Sequence, residues 1–324
     1  MRGRLSSLVR LPGALPLAVG VFTFAFVWVG REPPDLRPAF DFDYLWTAGR
    51  AVWHGNDPYA AVRESVRQGS LQWPFFYPAT AAVLIAPFGA LPHRVAVSLF
   101  TALGMALLAC GLQGWRRWML VSAPAVEAVL IGQWSPWLTA AVAIPWLGMV
   151  WAAKPSVGLT LFAGWPSRWA LGGGVFLVLF SLILLPHWPA DWIEAVRDTP
   201  HYKAPIQRPG GLLLLLALIR WRRPEARMLG LLAIVPHTTG VYEQLPLLLI
   251  PQTGRAFAAL MGSSYIAAGL VYTQNTFGPS VTKTLDMQWP YFLPLVYLPA
   301  LLMVLWPQRG KTQAEGSEAR SAAT

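Results

Sequence analysis

The stretch VAVSLFTALGMALLACGLQGW, residues 95–115, carries no Asp, Glu, Lys or Arg, and how it is read decides the fold. About 20 apolar residues wound as an α-helix cross the roughly 30 Å of hydrocarbon in a bilayer, and a helix satisfies every backbone group internally in that medium. Residues 11–30, 68–93, 169–190 and 287–308 are equally free of charge. Of the 324 residues, 55% are hydrophobic and 12% charged, where a soluble domain carries roughly a quarter charged. Too little polar surface is left for a dissolved particle. The chain reads as an all-α polytopic membrane protein with about eight to ten transmembrane helices.

The formal net charge of +10 sits in short loops such as Arg116-Arg117 and Arg220, Arg222, Arg223 and Arg227. That is positive-inside patterning rather than a nucleic-acid stripe, so no nucleic-acid partner is expected. Cys110 lies inside an apolar run and reads as a packing residue. Arg2, Arg4 and Arg10 precede the first apolar stretch as in a signal peptide. That stretch is long and ends in Val27-Trp28-Val29-Gly30-Arg31 without a small-x-small site, so it reads as a retained span with a cytoplasmic N-terminus.

The first span delivers residues 31–76 to the outside as an acidic loop holding Asp35, Asp41, Asp43, Asp57 and Glu64, with a helix over 45–52 along the interface. If 95–114 crosses, the proline-broken 76–91 only dips in. Residues 118–131 then return outward and leave Gly132-Gln133-Trp134 at the outer surface. Pro136, Pro145, Lys154-Pro155 and Pro166 interrupt 135–165, which reads as kinked or broken helices. Residues 169–186 run outward to an external amphipathic stretch over 191–203. The pieces 210–219, 228–236, 245–251, 256–272 and 290–306 complete the crossings, with 273–289 as an outer loop. Residues 1–308 form one transmembrane domain, and 309–324 a polar, disordered cytoplasmic tail. This places the protein in the cell membrane, with its acidic and aromatic loops extracytoplasmic.

The sharpest constellation is Asp41-Phe42-Asp43-Tyr44 with Gly55-Asn56-Asp57-Pro58-Tyr59 and Tyr77-Pro78. Two carboxylates two residues apart can deprotonate a hydroxyl or hold a divalent cation; structurally, the same spelling is a solvated helix-capping pair followed by a turn. Lys154, in a long apolar region, is costly unless paired and is a functional candidate on that ground. Its other reading is a cytoplasmic lysine that snorkels. Gln133 and Glu243, at the ends of apolar helices, either bind a sugar or acceptor or tie helices together. Glu127, inside an apolar span, needs a partner or a proton. His187, His201 and His237 have no metal-ligand spacing, and no metal site is assigned. Of the 17 tryptophans, Trp46, Trp53, Trp73, Trp115, Trp118, Trp188, Trp192 and Trp289 read mostly as interfacial belt residues, with sugar stacking open to Trp46, Trp73 or Trp134.

Asp41-Phe42, Ala48-Gly49-Arg50-Ala51, Gly55 to Tyr59, and Tyr77-Pro78-Ala79 with Pro87 and Leu91-Pro92 stand in an order that resembles family 87 of the glycosyltransferases. That family holds polyprenyl-phosphate-mannose-dependent α-mannosyltransferases of the GT-C superfamily. Gly132-Gln133 before an apolar helix and Lys154-Pro155 extend the resemblance, which covers residues 35–165 by motifs and the rest by hydropathy. It implies a GT-C-like bundle and a general base in the first outer loop, the position that Asp41 matches, with Asp43 as a tuning partner, metal ligand or spectator. The donor phosphate then calls for partners among Arg50, Lys154, His201, Lys203 and His237, while Tyr77, Gln133, Tyr242 and Glu243 complete the substrate-binding set.

The expected activity is inverting transfer of a hexose, by the resemblance mannose, from a polyprenyl phosphate to an envelope lipid or glycan acceptor among membrane lipids. No cofactor is required, although a divalent cation fits the chemistry. Two other classes stay open. A transporter or flippase would explain broken helices around buried Glu127 and Lys154. A catalytically silent envelope-assembly partner would fit Leu45-Trp46, where the family has paired tyrosines.

Overall fold

The computed structural model describes residues 11–30, 40–197, 202–274, 276–278 and 280–306. Asp35, His201, the N-terminal arginines and the 309–324 tail lie outside the described residues. Among the described residues every regular element is helical. The first half contains α1 (Leu11–Val29), α2 (Phe40–Trp53), α3 (Pro58–Arg67), α4 (Ala79–Gly89), α5 (His93–Gly111), α6 (Ala123–Ile131), α7 (Ser135–Ala143) and α8 (Pro155–Gly164). The second contains α9 (Arg168–Leu184), α10 (Trp188–Arg197), α11 (Pro224–Ile234), α12 (Gly254–Thr273), α13 (Val281–Phe292) and α14 (Leu298–Leu305). Tighter 3-10 stretches cover Gly114–Val121, Pro145–Ala153, Gly211–Arg220 and Val241–Leu249.

Three of these are long and apolar enough to cross a membrane: α5, α12 and the run Val281–Leu305. A fourth is counted if α9 and α10, bent by 98° at their junction, form one span. The face of α9 bearing Leu171, Val175, Phe176, Leu179 and Ile183 is exposed, as a helix is when lipid replaces water around it. Beyond the bend, α10 carries Asp191, Glu194 and Arg197 and buries Trp188, the pattern of an interfacial helix.

The broken middle has a simple local cause. Pro145 and Pro155 each sit in the first turn of a helical piece, and the residues before them, Ile144 and Lys154, take non-helical backbone at φ −118° and −136°. Proline cannot continue the preceding hydrogen-bond ladder and pushes its predecessor out of the helical region. Thr80 Oγ1 donates to the carbonyl of Ala152 at 2.6 Å, just before the second break.

The outer-loop helix expected over 45–52 is present as α2, but it is not a helix lying loosely on a surface. Phe42, Leu45 and Ala48 are fully buried, and α2 crosses α4 where Gly49 meets Gly89. A Cβ on Gly49 would lie 2.9 Å from the carbonyl oxygen of Ile85, and one on Gly89 would overlap the backbone of Arg50. Small residues let the two backbones touch.

Polar contacts sort into two groups. In one, arginines donate to carbonyls at element ends: Arg116 to Leu249 and Pro251, Arg223 to Val304, and Arg227 to Ala163 and Gly164. In the other, side chains bond one another around Asp41, Gln133, Lys154 and Glu243. The helix α8 and the stretch Val241–Leu249 each run from one group to the other.

Two segments differ from expectation. Residues 281–289, expected in an outer loop, are helical: α13 starts at Val281, with Ser280 Oγ accepting from the Lys283 amide at 3.3 Å. It continues into the apolar run to Leu305, and its Asp286 is paired with Lys203 and Arg208. Residues 118–131 are not one outward helix either, because Ser122 and Pro124 start a new element. The resulting nine-residue α6 spans about 13.5 Å at 1.5 Å per residue, roughly half a bilayer.

Candidate active site

The first turn of α2 presents Asp41, and the site is built outward from its carboxylate. Gln133 Nε2 donates a short hydrogen bond to Asp41 Oδ2. Gln133 is aimed by Gly132, which ends α6 in the left-handed conformation at φ +73°. A Cβ there would also lie 2.6 Å from Phe42 Cβ. The Gly132-Gln133 pair thus follows from two local demands, a backbone that glycine adopts without strain and a contact too close for any side chain.

Gln133 Oε1 accepts from Lys154 Nζ at 3.4 Å and from the Trp134 amide at 3.3 Å. Lys154, at the proline break, forms an ion pair with Glu243 Oε1 at 2.5 Å. Its ammonium also lies 5.1 Å from the ring centre of Tyr242 and 5.9 Å from that of Tyr77. Glu243 accepts a further short bond from Thr238 Oγ1, which in turn accepts from Tyr242 OH at 2.9 Å. Glu127 Oε2 accepts from the Tyr242 amide and its Oε1 from Tyr272 OH, both at 2.6 Å. One connected polar network therefore joins α2, α6, the 154 break, the 238–243 segment and α12.

This arrangement decides between alternatives that the sequence left open. Lys154 is buried and paired, so it does not snorkel. Gln133 ties elements together and also holds a carboxylate. Burial, opposed by the Gln133 hydrogen bond and the Lys154 charge, pushes the Asp41 carboxyl from its ordinary value up to about 6. A base so placed is ionised at neutral pH and still has appreciable proton affinity. Tyr77 is aimed by Gly55 to Tyr59. Asp57 Oδ1 caps α3 through the amides of Tyr59 at 2.7 Å and Ala60 at 3.2 Å, and Tyr59 OH donates to the carbonyl of Tyr77 at 3.0 Å. His237 is buried beside Glu243, with Nδ1 2.8 Å from the carbonyl of Val235.

Two expected site residues fall elsewhere. Asp43 is about 200° round the helix from Asp41 at 100° per residue, and its Oδ1 lies 2.8 Å from His93 Nε2. Its charge acts on Asp41 only as the weakest of several influences. The two carboxylates do not converge, and the described residues contain no His, Cys, Asp or Glu group of three that would hold a metal. Arg50 is exposed, its guanidinium 5.2 Å from the Trp46 ring. Nine residues along α2 place it about 13.5 Å from Asp41 at 1.5 Å each.

Trp134 is 2% exposed and packs edge-on against Phe100 at 5.1 Å; it has no face for a sugar. Trp289, read as a belt residue, is also 2% exposed and underlies Arg208. Sequence reasoning missed Thr238, Tyr272 and Arg208. Thr238 adjoins a residue already singled out, whereas nothing local marks Tyr272. No family model, curated protein or solved structure matches this chain.

Proposed function

We propose that the chain is a membrane hexosyltransferase that moves a sugar, mannose by the resemblance, from a polyprenyl phosphate to a hydroxyl of a lipid or glycan acceptor. The observation that carries this reading is the Asp41 carboxylate, outside the spanning segments, held by Gln133 and backed by the buried Lys154–Glu243 pair. A prenyl phosphate is already a good leaving group, so the protein has to activate the acceptor and keep the reactants aligned. Asp41 accepts the acceptor's proton as its oxygen attacks the anomeric carbon. The bond from that carbon to the phosphate oxygen breaks on the opposite face, its electron pair leaves with the prenyl phosphate, and the configuration inverts.

In this reading Gln133 and Lys154 are positioning residues, and Tyr77 and Tyr242 form the walls that exclude water. The arginine group faces the cytoplasm and the Asp41 group the extracytoplasmic side of the cell membrane, with the N-terminus inside. The half-length apolar helices, paired end to end, bring the crossings to about eight to ten in a GT-C-like bundle.

The test is transfer in proteoliposomes from a prenyl-phosphate donor carrying radiolabelled mannose. A labelled new lipid or glycan should appear with the native chain. It should fall by roughly a hundred- to ten-thousandfold with Asp41→Asn, which removes the base but keeps the shape. Label that crosses the vesicle membrane unchanged, with no new product, would instead support the transporter reading, which the proline-broken pieces around Lys154 favour.

A further inference from the structure

Away from Asp41, a cleft of about 280 Å³ opens between the segment after α10 and the start of α13, and Lys203, Arg208, Asp286 and Trp289 line it. Its floor is the guanidinium of Arg208, whose side chain is 1% exposed; its rim is Lys203 and Asp286, at 47% and 37%. Asp286 Oδ2 lies 2.7 Å from Lys203 Nζ and its Oδ1 3.0 Å from Arg208 Nη1. Two cations therefore share one carboxylate.

The contact to Arg208 is an ion pair too bent for a hydrogen bond. Among the described residues Nε, Nη1 and Nη2 of this buried guanidinium have no hydrogen-bond partner. Leaving such donors bare is expensive, since a buried charged group loses its hydration. The guanidinium lies 5.6 Å from the Trp289 ring, and Trp289 Nε1 donates to the carbonyl of Pro209 at 2.9 Å, which fixes the floor. The cleft thus has a buried planar fork without hydrogen-bond partners among the described residues, a half-exposed second cation at its mouth, and two positive charges against one negative. Guanidinium forks of this kind match tetrahedral oxyanions. A volume near the roughly 300 Å³ lower limit of ordinary ligand pockets admits a headgroup rather than a whole ligand.

We infer that this cleft is a binding site for a phosphate-bearing group, which sits on Arg208 and Lys203 and takes the place that Asp286 now shares with them. Tyr297 lies between the cleft and Glu243. The Tyr297 ring lies 5.2 Å from Trp289, its buried hydroxyl has no hydrogen-bond partner among the described residues, and it lies in the fields of both Glu243 and Arg208. Tyr297 ends the π-helical turn Leu293–Tyr297, a form that occurs mostly as short bulges at functional positions. If the transferase reading holds, the donor's phosphate is the natural occupant, and to that extent the assignment rests on that reading.

The experiment is equilibrium binding to the purified full chain in nanodiscs, with inorganic phosphate and geranyl phosphate as separate probes. Native protein should bind at least one. Protection by inorganic phosphate as strong as by geranyl phosphate assigns a free-phosphate ligand, and binding of geranyl phosphate alone assigns a lipid-borne one. Arg208→Gln should weaken binding roughly ten- to a hundredfold, the loss of a charge-assisted pair, and Lys203→Gln should weaken it less. Asp286→Asn should tighten it several-fold, because the competing carboxylate is gone. This gain decides the matter should Arg208→Gln fail to fold. No binding by the native chain, unchanged binding in Arg208→Gln, or weaker binding in Asp286→Asn overturns the site. Asp41→Asn should keep full phosphate binding. Phosphate binding without any sugar transfer would therefore leave this site standing and remove the transferase reading, and sugar transfer by a chain that binds neither phosphate probe would do the reverse.

Discussion

The two groups of polar contacts use the same currency of charge in opposite ways. Where Arg116, Arg223 and Arg227 gather, each guanidinium is spent on the carbonyls of element ends, Leu249, Pro251, Val304, Ala163 and Gly164 among them. Those carbonyls have no intrahelical partner, so the arginines act as caps and leave little free to meet a ligand. Around Asp41, side chains hold side chains, and several buried atoms have no partner among the described residues, including Glu243 Oε2, His237 Nε2 and Tyr297 OH. The contrast teaches that these arginines hold backbone ends together, while the acids near Asp41 are tied to other side chains in a buried network.

Breaking the central ion pair should have the largest effect on stability. Lys154→Met leaves Glu243, whose side chain is 1% exposed, as an uncompensated buried charge, at a cost of about 3–5 kcal/mol. Thermal unfolding in detergent checks this, and adding Glu243→Gln should recover most of the loss. A double variant as unstable as the single one would show that the pair is not the unit of stability. Gly132→Ala should cost about 1–2 kcal/mol from left-handed strain alone, with the contact to Phe42 added, and transfer should fall with it as Gln133 moves. Gly132→Asn relieves the strain but not the contact, so a full rescue would mean that packing against Phe42 is unimportant.

Asp41 separates function from stability by sign. Its carboxyl is raised to about 6, so the fold favours the protonated form, and ionisation costs stability as pH climbs from the ordinary carboxylate range through that value. Asp41→Asn should therefore raise the melting temperature at pH 7 while it abolishes transfer; a lower melting temperature would make Asp41 a structural residue. In the native chain, transfer should rise with pH through about 6 as the base ionises, and a profile flat from pH 5 to pH 7 would contradict the assignment. The smallest effect belongs to Arg50→Gln, at an exposed position stacked on Trp46. It should change stability by less than about 0.5 kcal/mol and leave transfer unaltered.

Much of the site was legible because membrane context makes polar residues conspicuous. Gln133, Lys154 and Glu243 stood out as isolated polar groups in apolar surroundings, and the structure brings all three together beside Asp41. Asp43, left open as tuning partner, metal ligand or spectator, and Arg50, a candidate phosphate partner, point away from the Asp41 network for the opposite reason. In a polar loop, proximity in sequence is no guide to direction, and a helix of 100° per residue turns neighbours apart. Trp289 read as a belt tryptophan because its aromatic character was visible and its burial was not.

By itself the sequence determined the helical, apolar character of the chain and the positions of the proline breaks, because hydropathy and backbone stereochemistry act within a few residues. Only the tertiary structure decided which acid Gln133 holds, that Lys154 pairs with Glu243, and that Arg208 faces a cleft beside Asp286. Those partners are separated by tens to hundreds of residues, and a charge in a low-dielectric interior selects its partner by distance in space, which no local pattern encodes.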